Sequence, residues 1–412
     1  MTSTRELSPG LHPACPASAV TQHISSLNAR PLNFPCIFLV CFITYLPSCR
    51  MLKPLIPQIA APPRRYPLQF KRHLASSNPT TTINNKIKSN SSSSNNSSTM
   101  KLLYPTSLKL DVQSLEGFAP TLHPYDVKAP IPDALLDADI LVAWTNSPAN
   151  LADAARRMKN LRWIQSLAAG PNDILAAGFP PHVLVTTGSG LHDRTVAEHT
   201  LGLLLTAARR FDLMREHQLR REWPAHLGGP QPDRPRGRFA TLRDANVLVW
   251  GYGNIARALA PHLAALGARV RGVARSAGVR GGVEVFAEDK LPELLPATDA
   301  LVMILPGSDS TADALNGERL ALLPAHAWVV NVGRGVSVDE DALADALEEG
   351  RLGGAALDVF KTEPLPRESR LWGAPNLLVS PHAAGGRPQG AEELIAGNLR
   401  RFLAGQKLKN LV

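Results

Sequence analysis

An arginine, a glutamate and a histidine stand in three short segments of the last third of the chain. The segments are Asn331-Val332-Gly333-Arg334-Gly335, Asp358-Val359-Phe360-Lys361-Thr362-Glu363-Pro364 and Ser380-Pro381-His382-Ala383-Ala384-Gly385. These residue types suit reduction of a carbonyl that sits next to a carboxylate. The planar fork of Arg334 matches a carboxylate in two-point binding. His382 suits proton transfer to a developing alkoxide, because an imidazole titrates near neutral pH. Glu363 lies 19 residues before His382 and is placed to accept the other ring N–H and orient the ring. Singly, each has an ordinary structural reading: a solvated turn arginine, a loop histidine, a helix-preceding Glu-Pro. Their shared order downstream of a nucleotide-type turn is what joins them.

That turn is Gly251-Tyr252-Gly253-Asn254-Ile255-Ala256, after the apolar run Asn246–Trp250 and before a helical pattern at Ile255, Leu259 and Leu263. Gly251 permits a tight turn and Gly253 lets backbone approach a pyrophosphate. The helix start then offers unpaired N–H groups of Asn254 and Ile255 to the phosphates. An NAD site places Asp or Glu at the end of the second strand, about 20 residues past the glycines. Here Val273-Ala274-Arg275-Ser276 occupies that place, Arg280 is near, and no acid occurs between Gly251 and Val283. Arg275 and Ser276 would pair with a 2′-phosphate, so the expectation is NADP(H), with NAD(H) as the second choice. The plain alternative is that these are surface arginines.

The elements that must position these groups read as α/β. Apolar runs at Ile140–Trp144, Trp163–Leu167 and Val183–Thr186 alternate with helical stretches such as Leu151–Met158. One long helix pattern runs from Ala197 to about Glu222, and a Pro/Gly-rich segment at Gly228–Arg238 leads to the strand before Gly251. Further strands at Val270–Val273, Ala300–Ile304 and Trp328–Val332, each separated by a helix, predict a doubly wound sheet. Arg334 then falls at the carboxyl edge, where open α/β sheets bind ligands. Trp163 and Trp223 read as core packing, with a pocket-lining role as the alternative. Glu198 and His199 read as structural.

Composition removes other classes. The chain has 412 residues and a net charge of +9. Residues 1–99 hold ten of the 44 basic side chains and one acid, Glu6, so the remainder carries 34 of each sign and is neutral. A nucleic-acid role is therefore not expected of the folded part. All four cysteines (Cys15, Cys36, Cys41, Cys49) lie in that extension, match no zinc template, and leave no metal site expected. The uncharged run Cys36–Leu46 is shorter than the roughly 20 residues a membrane span needs. Residues 1–99 read as a disordered low-complexity extension. It is either dispensable, with the fold opening at Met100, or a mitochondrial import segment; a cytoplasmic protein is the first expectation.

Together the motifs resemble the D-isomer-specific 2-hydroxyacid dehydrogenases, over essentially Met100 to Val412. Those enzymes carry the GxGxx(G/A) turn, Asn-x-x-Arg-Gly, Asp-Val-Phe-x-x-Glu-Pro and Pro-His-x-x-Gly in this order. The resemblance implies Arg334 as substrate clamp, His382 as acid/base and Glu363 as its partner. It also implies Pro306, Val332, Gly385 and Asp358 around the cofactor, Asp358 alternatively supporting its own turn. Ser166-Leu167-Ala168-Ala169-Gly170 matches a small-residue loop whose N–H groups, at Ala169 and Gly170, hold the substrate carboxylate. Two Rossmann-like domains with a cleft between them are implied. A flavodoxin-like substrate domain (residues 100–195 plus a returning helix, 386–412) would enclose an inserted dinucleotide domain (196–385), and the resemblance implies a homodimer.

Within that resemblance the leading expectation is an enzyme resembling glyoxylate/hydroxypyruvate reductases: NADPH-dependent reduction of a small 2-keto acid to the D-2-hydroxy acid, without nucleic-acid or membrane partners. Retained Glu363 argues against the formate dehydrogenase branch. Phosphoglycerate dehydrogenase, or another NAD-dependent member, fits the Arg275 region less well, and no residues follow Val412 for a regulatory domain. A dinucleotide-sensing corepressor of the same fold stays open, since such relatives keep the same three residues.

Overall fold

The computed structural model describes residues 100–115, 120–230 and 237–412. The readings made for residues 1–99, its cysteines included, and for the middle of the Gly228–Arg238 segment lie outside the described residues.

The first sheet contains β1 (Lys101–Pro105), β2 (Thr121–Tyr125), β3 (Ile140–Ala143), β4 (Trp163–Ser166) and β5 (Leu184–Thr186), all parallel in the order β2-β1-β3-β4-β5. This is the flavodoxin-like winding. Its inner strand β3 is apolar throughout because both of its faces are covered. Leu102, Ile140 and Trp163 point into one core, and their neighbours Leu103, Leu141 and Ile164 into another. Helices α1 (Pro148–Arg157) and α2 (Asn172–Ala176) follow β3 and β4.

Helix α3 (Asp193–Arg209) then leads to α4 (Phe211–Arg220). The continuous helix expected from Ala197 to Glu222 is thus two helices, and the first starts four residues earlier. The break is Arg210, in the left-handed region at φ 54°. Its guanidinium is held by both carboxylate oxygens of Asp212 and by Asn376, 166 residues away. No residue type at the break signals this, since the left-handed conformation is usually the mark of Gly or Asn.

The second sheet has β6 (Asn246–Trp250), β7 (Arg269–Val273), β8 (Gly278–Arg280), β9 (Val283–Phe286), β10 (Ala300–Met303), β11 (Trp328–Asn331), β12 (Gly354–Leu357) and β13 (Leu377–Val379), in the order β13-β12-β11-β10-β6-β7-β9-β8. Strand order reverses between β6 and β10, which sets the ligand crevice there. Helices α5 (Asn254–Ala265), α6 (Leu291–Leu294), α7 (Gly317–Ala321) and α8 (Glu340–Glu348) connect the strands. A helix does not separate β7 from the next strand, contrary to the simple repeat. Instead an antiparallel ribbon, β8–β9, joins the sheet edge.

The chain ends in α9 (Ala391–Leu403), whose Ala391, Ile395 and Leu399 bury in the core of the first sheet. In contrast Val196, Ala197 and Leu204 of α3 bury in the core of the second. Trp163 is fully buried, whereas Trp223 is 92% exposed and is no core residue: it lies beyond the end of α4, uncovered by the described residues. Among the described residues no helix is long and apolar enough to cross a membrane, and no cluster of His, Cys, Asp and Glu could hold a metal ion.

Candidate active site

Strand register collects the chemical residues on one edge. Trp250, Met303 and Asn331 are aligned partners across β6, β10 and β11, and Asn331, Leu357 and Val379 continue the row across β12 and β13. One to three residues beyond this row come Gly251, Pro306, Val332, Arg334, Asp358 and His382. Five strands of parallel sheet therefore deliver their C-terminal loops to one crevice.

At its phosphate end, Gly251 has φ +98°, and a Cβ there would stand 2.4 Å from the carbonyl oxygen of Ile304. Only glycine fits both demands. The N–H groups of Gly251 and Tyr252 both donate to Val273 O, at 2.9 and 3.1 Å. The Tyr252 ring does not face the crevice but packs over Gly272, whose Cβ would meet it at 2.5 Å. Its buried hydroxyl has no hydrogen-bond partner among the described residues, and burial pushes its pKa up. Tyr252 thus lines the turn through backbone alone. Gly253 caps α5 with open space where a Cβ would be. Helices α1, α7 and α8 begin on Ser147, Asn316 and Asp339, whose side chains cap them, but α5 has no side-chain cap. Its first N–H groups, Asn254 and Ile255 included, remain available to an anion. These residues fit a dinucleotide pyrophosphate.

At the end of β7, Arg275 is exposed and has no partner among the described residues. Arg280, on the unforeseen ribbon, donates to Tyr252 O (2.8 Å), Ser276 O (2.8 Å) and Ser276 Oγ (2.9 Å). It ties the Ser276 loop to the glycine turn. Only its nearness in sequence hinted at this.

At the chemical end, Glu363 Oε2 lies 2.6 Å from His382 Nδ1, and Glu363 Oε1 accepts the Phe360 N–H at 3.0 Å. The carboxylate is anchored by backbone and the ring by the carboxylate, which leaves Nε2 as the outward nitrogen. His382 has φ 52°, fixed by donation of its N–H to Asp358 O (2.8 Å) and Ser380 O (3.1 Å).

Asp358 is fully buried. One carboxylate oxygen accepts from Ser380 Oγ (2.5 Å) and Ala383 N (2.9 Å), the other from Ala384 N (3.0 Å). His199 Nε2 meets Ser380 Oγ at 2.9 Å and completes the network. Of the two readings of Asp358, this geometry favours support of its own turn, and it gives His199 a structural place. Asp358→Asn turns an acceptor oxygen into a donor facing an N–H. We expect a loss of about 3 kcal/mol of stability, read as a lower urea midpoint at unchanged m-value; an unchanged midpoint would contradict it.

Arg334 follows β11 in a turn held by Asn331, whose Oδ1 accepts Gly333 N (3.0 Å) and whose Nδ2 donates to Arg334 O (3.1 Å). Its guanidinium reaches across the crevice: a Cβ on Gly170 would lie 2.7 Å from Arg334 Nη2. The loop after β4, with Ala169 and Gly170, therefore faces the arginine. Asn172 Nδ2 donates to Gly307 O at 3.0 Å beside it, joining the loops of the two sheets. Val332 is buried at the strand end, Pro306 is exposed in the loop after β10, and Gly385 offers its carbonyl to His192 and Thr195.

Comparison with known proteins matches residues 201–384 to the family described as D-isomer specific 2-hydroxyacid dehydrogenase, NAD binding domain. The chain is 32% identical over 304 residues to glyoxylate/hydroxypyruvate reductase A of Serratia proteamaculans, covering 71% of this chain and 91% of that protein. Among solved structures it is similar to a D-isomer specific 2-hydroxyacid dehydrogenase from Xanthobacter autotrophicus in complex with NADPH and MES, at 30% identity and TM-score 0.64, over 76% of this chain and 98% of that one. It is also similar to an NADPH-dependent glyoxylate/hydroxypyruvate reductase from Sinorhizobium meliloti in complex with NADP and sulfate, at 27% identity and TM-score 0.63, with the same two coverages.

Proposed function

The chain belongs to the D-isomer specific 2-hydroxyacid dehydrogenase family of NAD(P)-dependent oxidoreductases, and from that premise we propose that it reduces a small 2-keto acid, of the glyoxylate or hydroxypyruvate type, to the D-2-hydroxy acid. One observation carries this reading: Arg334 faces the Gly170 loop on the same sheet edge that bears the His382–Glu363 pair. The names of relatives support it.

Arg334 and the N–H groups of Ala169 and Gly170 take the substrate carboxylate. The neighbouring carbonyl oxygen then turns toward His382 Nε2. A nicotinamide held in the crevice would supply hydride to C2. His382 Nε2 gives its proton to the carbonyl oxygen as that oxygen gains the electron pair, and Glu363 holds the ring and offsets its charge. Gly251, Gly253, Asn254 and Ile255 would hold the cofactor's pyrophosphate. We assign residues 100–195 and 386–412 to the substrate domain and 196–385 to the dinucleotide domain, supported by the burial of α9 and α3 in opposite cores. Exposed Phe211, Leu219 and Trp223 support a homodimer, which sedimentation would test.

NADPH oxidation with glyoxylate and hydroxypyruvate tests the function; no turnover with any short 2-keto acid would defeat it and favour a dinucleotide-sensing role. NADP(H) preference rests on unpaired Arg275 and on Ser276. Arg275→Ala is expected to lower kcat/KM for NADPH by about 10- to 100-fold, the worth of one or two charge-assisted bonds, and to leave NADH nearly unchanged. Equal losses with both cofactors would rule out a 2′-phosphate contact.

A further inference from the structure

Both ring nitrogens of His192 lie against backbone carbonyls. Nε2 is 2.8 Å from Leu167 O and Nδ1 is 2.9 Å from Gly385 O. The side chain is 5% exposed, and its ring stacks on Trp144 at 5.2 Å with 17° between planes. A carbonyl oxygen only accepts, so both bonds form together only when each nitrogen carries a proton. Trp144 presents an aromatic face to such a ring.

The two carbonyls matter by position. Leu167 directly precedes the Ala168-Ala169-Gly170 loop, and Gly385 is three residues past His382. Gly188 keeps the Leu167 carbonyl within reach: a Cβ there would stand 2.1 Å from that oxygen. Thr195 Oγ1 gives Gly385 O a second donor, at 2.7 Å.

We propose that His192 is a positioning residue, which bridges the carboxylate-binding loop to the His382 segment and so sets the distance between substrate clamp and proton donor. It rests on the 2-keto-acid reading above. It touches neither substrate nor cofactor, and it acts by holding two loops from different sheets in register.

His192→Phe keeps the ring stack and removes both donors. We expect kcat/KM for the 2-keto acid to fall on the order of 100-fold, the effect of a misplacement near 1 Å, with the NADPH dissociation constant unchanged. His192→Gln keeps one donor and should recover part of the loss. If both variants stay within about twofold of the parent, or if NADPH binding falls equally, the proposal is overturned. Nitrogen NMR of the ring in the unaltered full chain gives a readout independent of folding and of turnover. Both ring nitrogens are expected to be hydrogen-bonded, and a ring nitrogen free of any hydrogen bond would also overturn it. Should the parent reduce no 2-keto acid, the functional reading fails alone, and the same variants are read by the binding of oxalate to the NADPH complex, with weaker binding expected and unchanged binding overturning the proposal.

Discussion

Alanine in place of His382 is expected to lower kcat for 2-keto-acid reduction by about 10²- to 10⁴-fold, the usual worth of a positioned general acid, while NADPH still binds. The structure separates these effects. The side chain is 49% exposed, so its removal leaves no buried cavity. The loop is held instead by Asp358, through backbone and carboxylate. Alanine at φ 52° costs on the order of 1 kcal/mol, too little to unfold the domain. Glu363→Gln should cost less, because it removes orientation and charge support and leaves the proton donor. As Glu363 acts through His382, the double variant should be no slower than His382→Ala alone. Stopped-flow NADPH oxidation with cofactor titration by fluorescence measures all three. Additive losses would mean that Glu363 works independently; more than a tenth of the parental rate in His382→Ala would remove it from the chemistry.

The parts of this architecture legible in the sequence are those where local chemistry dictates the outcome. Near-continuous apolar runs mark strands buried on both faces, and Asn246–Trp250 and Trp328–Asn331 are such strands. Gly251 could be singled out because a strand-to-helix turn needs its backbone freedom. The 19-residue spacing of Glu363 and His382 belongs to a pattern whose members the fold brings to 2.6 Å. What was hidden depends on distant partners. Arg210 adopts a left-handed conformation because Asp212 and Asn376 receive its guanidinium, and nothing in its own residue type announces that. The β8–β9 ribbon is only three and four residues per strand, too short for periodicity to register. His192 meets carbonyls 25 and 193 residues away, a relation no local pattern encodes. Trp223 departs from expectation for the converse reason: an apolar side chain predicts burial, and the described residues leave it uncovered.

Removing the Arg334 guanidinium should separate substrate binding from cofactor binding most sharply. For Arg334→Ala we expect kcat/KM for the 2-keto acid to drop by about 10²- to 10³-fold, carried largely by KM. Two charge-assisted hydrogen bonds to a carboxylate are worth roughly 3–4 kcal/mol together. The turn itself should survive, because Asn331 Nδ2 and Ser337 Oγ bind the Arg334 carbonyl rather than its side chain. Arg334→Lys keeps the charge but loses the planar fork, so it should fall between the two. Gly170→Ala offers an orthogonal check. Its new methyl would stand 2.7 Å from Nη2, so it should displace the guanidinium and raise KM without altering the charge of the site. Steady-state kinetics with NADPH saturating, and unfolding midpoints to confirm intact folding, decide the matter. A parental KM in Arg334→Ala would place the carboxylate elsewhere, and with it the direction from which the keto oxygen approaches His382.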